Sequence, residues 1–345
     1  MPDLPDVIEN EDVLDELLSQ PSDALVALMS RLEGDVTILG VGGKIGVSLA
    51  TQAVKAIGKA GSKARVIGVD LFGDPAPKEK LDAVGVETVA CDLLDRAAIS
   101  KLTVTPNVVY MAGRKFGTEG SEDLTWALNT LLPANVCEHY TTSRIVAFST
   151  GCVYPLVTAD SGGATEATPP APVGEYAQSC LGRERTFQYY SARKGLQVCL
   201  FRLNYSVDLR YGVLYDIASA IAEGRPVNAS VRHFNVIWQG DACDQALRCL
   251  EHCGSPAELM NVTGPEMLKT RDVATKMGEL MGKPVAFEGE DAGVAYLSDS
   301  SKAMKLFGPP GVGAEKLIAW QADWVKRGGR SLGKPTHFEV SDGKY

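Results

Sequence analysis

Short apolar runs alternate with longer amphipathic segments along most of the 345-residue chain. Runs rich in β-branched and other apolar residues predict six strands, over residues 36–40, 65–70, 87–92, 107–112, 143–149 and 197–203. Nearly continuous apolar runs are typical of strands that are buried on both faces of a sheet. Because helical segments separate the strands, the pattern predicts right-handed βαβ units and an α/β fold with a doubly wound parallel sheet.

The segment before the first strand has helical spacing instead. An apolar stripe over residues 13–18 predicts a first helix, and Ser22 is placed to cap a second helix that Gly34 would end. We expect residues 1–33 to form an N-terminal helical arm, which packs on the main body or on a partner subunit.

Beyond residue 206 the alternation of strands and helices becomes less regular. Helices are predicted over residues 213–223, 240–253, 271–281 and 315–326, and a strand end with a turn is predicted over residues 261–265. We predict a smaller C-terminal α/β region that binds substrate, formed by residues 206–235 and 264–327. Residues 328–345 are rich in turn-forming residues and predict an extended tail.

Charge and cysteine content narrow the choice of partners and compartment. The net charge is −9, which argues against nucleic acids and anionic membranes as partners because both need a basic surface. The acidic N-terminus is unlike a targeting peptide, and the eight scattered cysteines fit a reducing, cytoplasmic location. Cys249, His252 and Cys253 lack a second pair of ligands, so we predict no metal site.

The clearest motif is a glycine-rich loop that follows the first strand and opens a helix. It consists of Gly40, Gly42, Gly43, Lys44, Ile45 and Gly46 after one apolar strand. Glycine permits a tight turn and a close approach of the backbone to a pyrophosphate, which the helix N-terminus then holds. The alternative is a glycine-rich turn without a ligand. The motif predicts a Rossmann-like dinucleotide-binding domain over residues 34–205, to which residues 236–263 return.

Two carboxylates follow the second and third strands. Asp70 is placed to accept hydrogen bonds from the adenosine ribose and to repel a 2′-phosphate, which favours NAD over NADP. Asp92, with Leu93 after it, is placed to lie beside the adenine. The alternative for Asp92 is a helix N-cap ahead of residues 93–99.

An ordered set of motifs over residues 36–320 resembles the extended short-chain dehydrogenase/reductase family, the group of NAD-dependent sugar epimerases and dehydratases. The motifs are the glycine loop, residues 111–115, Asn129, residues 148–154, Tyr176, residues 202–204 and residues 296–302. The resemblance implies that Thr150 and Tyr176 flank the sugar carbon that is oxidised, with Tyr176 as the proton acceptor. It also implies cofactor contacts by Met111, Ala112, Gly113, Lys115, Asn129, Tyr176 and Leu203. Simpler alternatives are a surface tyrosine and a strand-end hydroxyl that caps the backbone.

The sequence departs from the family pattern at the catalytic helix. The family has Tyr-x-x-x-Lys, whereas this chain has Cys180 four residues after Tyr176. The missing ammonium normally lowers the tyrosine pKa, and a cysteine cannot supply a positive charge. Arg114, Lys115 and Arg183 are candidates for that charge.

The substrate side departs as well. The acidic stretch over residues 287–291 lacks the arginine with which nucleotide-sugar enzymes grip the diphosphate, and Tyr205 stands where the family has an asparagine. Candidate substrate-binding residues are Thr150, Gly151, Asn204, Tyr205, Arg210 and Trp238, with Tyr211 and Asn235 as further pocket candidates. We therefore expect an NAD-dependent epimerase, dehydratase or dehydrogenase that acts on a small carbohydrate or sugar acid. The alternative is a catalytically inactive NAD(H)-binding sensor or scaffold. The resemblance also implies a homodimer.

Overall fold

A parallel sheet of seven strands forms the centre of the computed structural model, which describes residues 4–115, 117, 118, 120–334, 336 and 338. In chain order its strands are β1 (Val36–Leu39), β2 (Val66–Asp70), β3 (Glu87–Ala90), β4 (Asn107–Tyr110), β5 (Arg144–Thr150) and β6 (Gln197–Leu203), with Glu258–Val262 as the seventh. The spatial order is β3-β2-β1-β4-β5-β6 and then Glu258–Val262 at the edge. The predicted doubly wound α/β fold and its six strands are confirmed.

The strand order reverses between β1 and β4. These two strands pair in parallel, from Val36↔Asn107 to Leu39↔Tyr110. In open α/β sheets, ligands bind at such a switch point, beyond the carboxyl ends of the strands. The seventh strand pairs in parallel with β6 from Glu258↔Cys199 to Val262↔Leu203, so the chain returns to the sheet where the sequence indicated only a strand end.

Short strands outside the main sheet join the loops of the C-terminal region. The seventh strand of the main sheet, Glu258–Val262, is β11 in chain order. The short strands are β7 (Ser206–Val207), β8 (Val227–Asn228), β9 (His233–Phe234), β10 (Ile237–Trp238), β12 (Leu268–Lys269) and β13 (Phe287–Glu288). Each pairs with one other, as β10 with β7, β12 with β9 and β13 with β8. Two-residue pairings of this kind are too short to give a readable alternation in the sequence.

Helices cover both faces of the sheet and build the C-terminal region. They are α1 (Glu11–Leu18), α2 (Asp23–Met29), α3 (Gly46–Lys59), α4 (Pro75–Ala83), α5 (Arg96–Ile99), α6 (Glu122–Trp126), α7 (Leu132–His139), α8 (Gly174–Lys194), α9 (Val213–Ala222), α10 (Gln239–Arg248), α11 (Thr270–Met281), α12 (Ser301–Phe307) and α13 (Ala314–Lys326). Ser22 caps α2 as predicted, accepting a hydrogen bond from the Leu25 amide. Gly34 does not end that helix, because α2 already ends at Met29.

The N-terminal arm packs on the body of its own chain. Leu14 and Leu18 of α1 are buried in the core of the C-terminal region, and Leu25 and Leu28 of α2 are buried in the core beneath the sheet. The arm therefore joins the two cores, which answers the question that the sequence left open.

The C-terminal segment is also docked rather than merely extended. The Leu332 amide donates to the Arg210 carbonyl, and the Phe338 ring packs on Phe234 with ring centroids 6.2 Å apart. Residues 1–3 of the predicted arm and several of the last residues of the predicted tail lie outside the described residues. In the part of the chain that is described, no helix has the length and apolar composition needed to cross a membrane.

Candidate active site

A cavity of about 270 Å³ opens beyond the carboxyl ends of β1, β4, β5 and β6. The sequence-predicted residues that line it are Lys44, Ile45, Met111, Gly113, Lys115, Thr150, Tyr176, Leu203, Asn204 and Tyr205. Further lining residues include Arg114, Ser149, Cys152, Arg183, Tyr211 and Thr336. The structure thus brings together side chains that are up to 292 residues apart in the chain, from Lys44 to Thr336.

The glycine loop has the geometry that a dinucleotide requires. Gly40 has a φ of +84°, and a Cβ there would lie 2.5 Å from the Ala112 nitrogen. A Cβ at Gly46 would lie 2.3 Å from the Val41 carbonyl oxygen, at the first residue of α3. The backbone is therefore packed tightly against β4, and the N-terminus of α3 points towards the loop, as anion binding needs.

The acidic residues after β2 and β3 have different surroundings. Asp70 accepts hydrogen bonds from the Gly42 amide at 3.0 Å and the Phe72 amide, so its carboxylate borders the glycine loop. Asp92 accepts from the Leu94 amide at 2.8 Å, which is a turn contact. The alternative of an N-cap at Asp92 is wrong, because α5 begins only at Arg96 and Asp95 caps it. The Leu93 side chain is buried in the core.

Thr150 and Tyr176 meet at the cavity. Thr150 is the last residue of β5, and its Oγ1 accepts a hydrogen bond from the Cys152 amide at 3.2 Å. That contact fixes the hydroxyl oxygen at the strand end and leaves its proton available for another acceptor. Tyr176 lies in the first turn of α8. Burial raises the pKa of Tyr176 well above its usual value, and the neighbouring Cys180 and Cys152 raise it further.

A guanidinium on α8 acts on Tyr176, although the sequence lacks the family lysine. Arg183 follows Tyr176 by seven residues on α8, about two helical turns, so both side chains project from one face into the cavity. Its terminal nitrogens donate to the Phe148 carbonyl at 2.9 Å and to Asn129 Oδ1 at 2.5 Å. The positive charge of Arg183 lowers the Tyr176 pKa against the effect of burial.

Asn129 lies behind the cavity wall and organises the groups around it. It belongs to a π-helical turn, Ala127–Leu131, inserted between α6 and α7; such insertions are frequent at functional sites. Its amide donates to Ser179 Oγ at 2.9 Å and to the Arg114 carbonyl, while its oxygen accepts from Arg183. The Lys115 ammonium lies 5.8 Å from the centroid of the Tyr176 ring.

Cys180 is buried, and burial raises the pKa of its thiol. A neutral thiol is a weak nucleophile, so the geometry favours the packing role for Cys180 over a catalytic one. Within the described residues, no group of three or more His, Cys, Asp and Glu side chains is placed to hold a metal ion.

A buried ion pair supports α8, the helix that carries Tyr176, and sequence reasoning missed it. Arg202 of β6 contacts both carboxylate oxygens of Glu184 on α8, at 2.8 and 2.6 Å, with side chains 2% and 0% exposed. Ser149 donates to Glu184 and Arg202 donates to the Tyr154 hydroxyl. The signal was present, since Glu184 directly follows Arg183 in an amphipathic helix and Arg202 interrupts an apolar strand.

The predicted substrate residues fall into two groups. Asn204 and Tyr205 line the cavity, and Gly151 lies so close that a Cβ on it would be 2.9 Å from Asn204 Oδ1. Asn204 donates to Asn235 Oδ1, and Asn235 donates to the Ser298 carbonyl. Tyr205 has a φ of +43°, an unusual conformation for a bulky residue and one that is often found at functional sites.

Arg210 and Trp238 do not line the cavity, contrary to expectation. Arg210 is occupied by ion pairs with Asp208 at 2.8 Å and with Asp15 of the arm at 2.9 Å. Trp238 is buried against Trp320, with ring centroids 5.7 Å apart. Arg210, which is held in ion pairs, and Trp238, which is buried in the core, therefore have structural roles. The sequence around each residue gave no sign of these distant partners.

The fold and this site define a Rossmann-type nucleotide-binding enzyme of the short-chain dehydrogenase/reductase superfamily. The sequence model of the NAD dependent epimerase/dehydratase family matches residues 36–207. The chain belongs to this family, and its cofactor is NAD. The residues fit that group: the glycine loop leaves no room for side chains where the backbone must approach the cofactor, and Asp70 borders the loop.

Solved structures show the same fold. A UDP-galactose 4-epimerase is 20% identical with a TM-score of 0.66, and the match covers 85% of this chain and 99% of that one. A Thermus thermophilus UDP-glucose 4-epimerase with NAD is 22% identical with a TM-score of 0.67 and the same coverage. A Streptomyces venezuelae dTDP-glucose 4,6-dehydratase with NAD is 20% identical with a TM-score of 0.70, covering 85% and 97%. No curated protein matches the sequence.

Proposed function

We propose that this protein transfers a hydride at a carbinol carbon of a small carbohydrate or sugar acid, as an epimerase, dehydratase or dehydrogenase. The observation that carries the proposal is the convergence of Thr150 and Tyr176 on one cavity with Lys44, Ile45 and Leu203. The cavity therefore joins the cofactor loop to a hydroxyl-binding pair, which is the arrangement that carbinol oxidation needs.

The chemistry follows from where these groups lie. Bound NAD supplies the acceptor for the hydride that leaves the carbinol carbon with two electrons. The Tyr176 phenolate takes the proton of the same hydroxyl, so the carbinol becomes a carbonyl and the tyrosine becomes neutral. Thr150 donates a hydrogen bond to the substrate oxygen, because its own oxygen is already held by the Cys152 amide. Epimerisation would require return of the hydride to the opposite face of the carbonyl. Dehydration would require that a neighbouring C–O bond break with loss of water before hydride returns to the carbon that lost its hydroxyl.

Arg183 takes the electrostatic role of the missing family lysine in this proposal. Its guanidinium is held by the Phe148 carbonyl and by Asn129, so the charge stays fixed beside the Tyr176 ring. A fixed cation stabilises the phenolate and lowers the pH at which Tyr176 acts as a base. Arginine keeps its charge at every working pH, and its planar donor group suits two acceptors at once.

The pH profile tests this role. Arg183→Met should move the pH of half-maximal rate upward by about one unit, because the charge that opposes burial is gone. Arg183→Lys should keep most of the wild-type profile. A Met variant that binds NAD normally and shows an unshifted profile would remove Arg183 from the mechanism.

The site argues against a nucleotide sugar as substrate. Arg210, a possible clamp for a diphosphate, is occupied by Asp208 and the arm. Arg232 pairs with Asp291 in the acidic stretch at 3.5 Å. These contacts support a substrate of monosaccharide size.

Two measurements test the proposed function. The first is to denature fresh protein and identify the released nucleotide, which distinguishes the possible reactions. Stoichiometric NAD or NADH favours an epimerase or dehydratase that recycles the hydride. An exchanging cofactor favours a dehydrogenase. Tyr176→Phe should abolish turnover while NAD still binds. Turnover near the wild-type rate in that variant would overturn the assignment.

The second candidate is an NAD(H)-binding sensor without catalytic activity. It is favoured by the absence of a lysine at Cys180 and by the raised pKa of Tyr176. Wild-type protein that binds NAD but turns over no carbohydrate at any pH up to 10 would support the sensor.

We also propose a cytoplasmic homodimer, built on the helices that flank the sheet. All eight cysteines are free thiols. Leu131, at the junction with α7, is 62% exposed, and Tyr189 of the adjacent α8 is 57% exposed. Light scattering should give twice the chain mass for wild type and a monomer for Leu131→Glu; a monomeric wild type would exclude the dimer.

A further inference from the structure

One lysine of the cofactor loop points away from that loop and into the substrate region. The Lys44 ammonium lies 3.6 Å from the centroid of the Tyr211 ring, which belongs to the loop before α9. Among the residues that the structure describes, its Nζ has neither a hydrogen-bond acceptor nor an ion-pair partner. The ring holds the ammonium in place by a cation–π contact while leaving its three N–H groups to the cavity.

The cavity around this lysine is basic, although the protein is acidic. The lining includes Lys44, Arg114, Lys115 and Arg183, and it includes no aspartate or glutamate among the described residues. The acidic side chain that acts on Lys44 is Asp208, which already holds the Arg210 guanidinium through both of its oxygens. The Lys44 ammonium therefore reaches the cavity without a carboxylate partner among the described residues, and an anionic occupant would supply the missing charge.

Burial lowers the pKa of Lys44 to about 7, and the neighbouring cations Lys115 and Arg210 contribute to this decrease. A partly buried ammonium without a counter-ion is unfavourable, and a bound anion would supply that counter-ion. The position of the lysine and its lowered pKa therefore agree.

We propose that Lys44 and Tyr211 form a subsite for an anionic group of the substrate, either a carboxylate or a phosphate monoester. The inference rests on the proposed function and narrows its substrate class to acidic carbohydrates. The cofactor's own anion does not need this side chain, because the N-terminus of α3 directly follows the loop, has no side-chain cap and is available to it. The Lys44 chain instead spans the cavity to a ring on its far wall.

Binding to the NAD-loaded Tyr176→Phe protein tests the subsite without turnover. Calorimetry with glucuronate, galacturonate, their neutral hexoses and the two hexose 6-phosphates compares carboxylate, phosphate and neutral forms of one ring. At least one acidic member should bind about tenfold more tightly than its neutral counterpart. Inorganic phosphate serves as the probe of the subsite alone.

Lys44→Met, in the same background, should remove this preference, whereas Lys101→Met, at an exposed position outside the cavity, should keep it. Absence of any Lys44-dependent binding across the sugars and phosphate would overturn the inference. So would an NAD affinity that falls about tenfold in Lys44→Met with unchanged ligand binding, since the lysine would then serve the cofactor. Failure of the proposed function looks different: the wild type would not bind NAD, or Tyr176→Phe would turn over substrate.

Discussion

The two walls of the cavity are built by different means. The cofactor wall consists of a loop between β1 and α3, and its shape depends on glycines that have no room for a side chain, such as Gly40 and Gly46. The opposite wall collects Tyr176, Tyr205 and Tyr211 from separate loops and helices. Backbone geometry determines the first wall, whereas long-range contacts determine the second.

Buried charge pairs hold the second wall. Glu184 and Arg202 fasten α8 to β6, and Asp208 and Arg210 fasten the loop that carries Tyr211 to the arm. Such pairs contribute little net stability when complete but are costly to break. The second wall therefore depends on ion pairs in which both partners must be present, whereas the cofactor wall does not.

Breaking the deepest pair should have the largest effect. Glu184→Gln leaves the Arg202 guanidinium buried without a full counter-charge, so we expect the free energy of unfolding to fall by about 3–5 kcal/mol in urea titrations. Arg65→Met is the matched control, because the Arg65 side chain is 57% exposed in its pair with Asp35, and its loss should cost less than about 1 kcal/mol. Equal losses in the two variants would contradict the contrast between the walls.

On the cofactor wall, Gly40→Ala should weaken NAD binding by at least about tenfold, because the added Cβ meets the Ala112 backbone at 2.5 Å. Gly85→Ala is the control that separates backbone strain at a positive φ from a steric clash of the added Cβ. Gly85 has a similar φ of +88° but open space around it, so NAD affinity should stay at the wild-type value there. A comparable loss of affinity in both variants, measured by fluorescence titration, would refute the role of close packing.

The two walls meet at Lys44, and its role should be visible in the pH dependence of ligand affinity. Its pKa of about 7 means that it is protonated and attractive to anions below pH 7 and becomes neutral above it. The affinity of the NAD-loaded protein for an acidic sugar should therefore fall above pH 7, by about tenfold in total, and then level off. The charged or titratable groups that face Lys44 are Asp208, Arg210, Lys115, Cys243 and Tyr211. Lys44→Met should flatten the dependence, and a slope that persists in this variant would assign it to another group.

The same contrast explains what the sequence could predict. The glycine loop, the six strands and Asp70 follow local rules of strand, turn and helix, so one sequence was sufficient to place them. Thr150 and Tyr176 were identified through a family pattern, and both line the cavity. Arg210 and Trp238 were assigned to the pocket from residue type alone, and their distant partners Asp15 and Trp320 place them elsewhere.

Long-range pairs could not be predicted because nothing local encodes them. Glu184 and Arg202 are each unfavourable when buried alone, and only the fold shows that they neutralise each other. The choice of Arg183 over Arg114 and Lys115 as the charge beside Tyr176 likewise depended on which side chain is fixed by Asn129 and the Phe148 carbonyl.

The smallest expected effect comes from a substitution in α3 away from the glycine loop. Gly58 lies in α3, is exposed, and a Cβ there would meet nothing within 4 Å. Alanine removes backbone freedom from the unfolded chain, so Gly58→Ala should raise the free energy of unfolding by about 0.5–1 kcal/mol. Because the helix N-terminus and its loop are unchanged, NAD affinity should stay the same. A gain in stability accompanied by weaker NAD binding would mean that the far end of α3 also shapes the loop, and that the cofactor wall is less local than its glycines indicate.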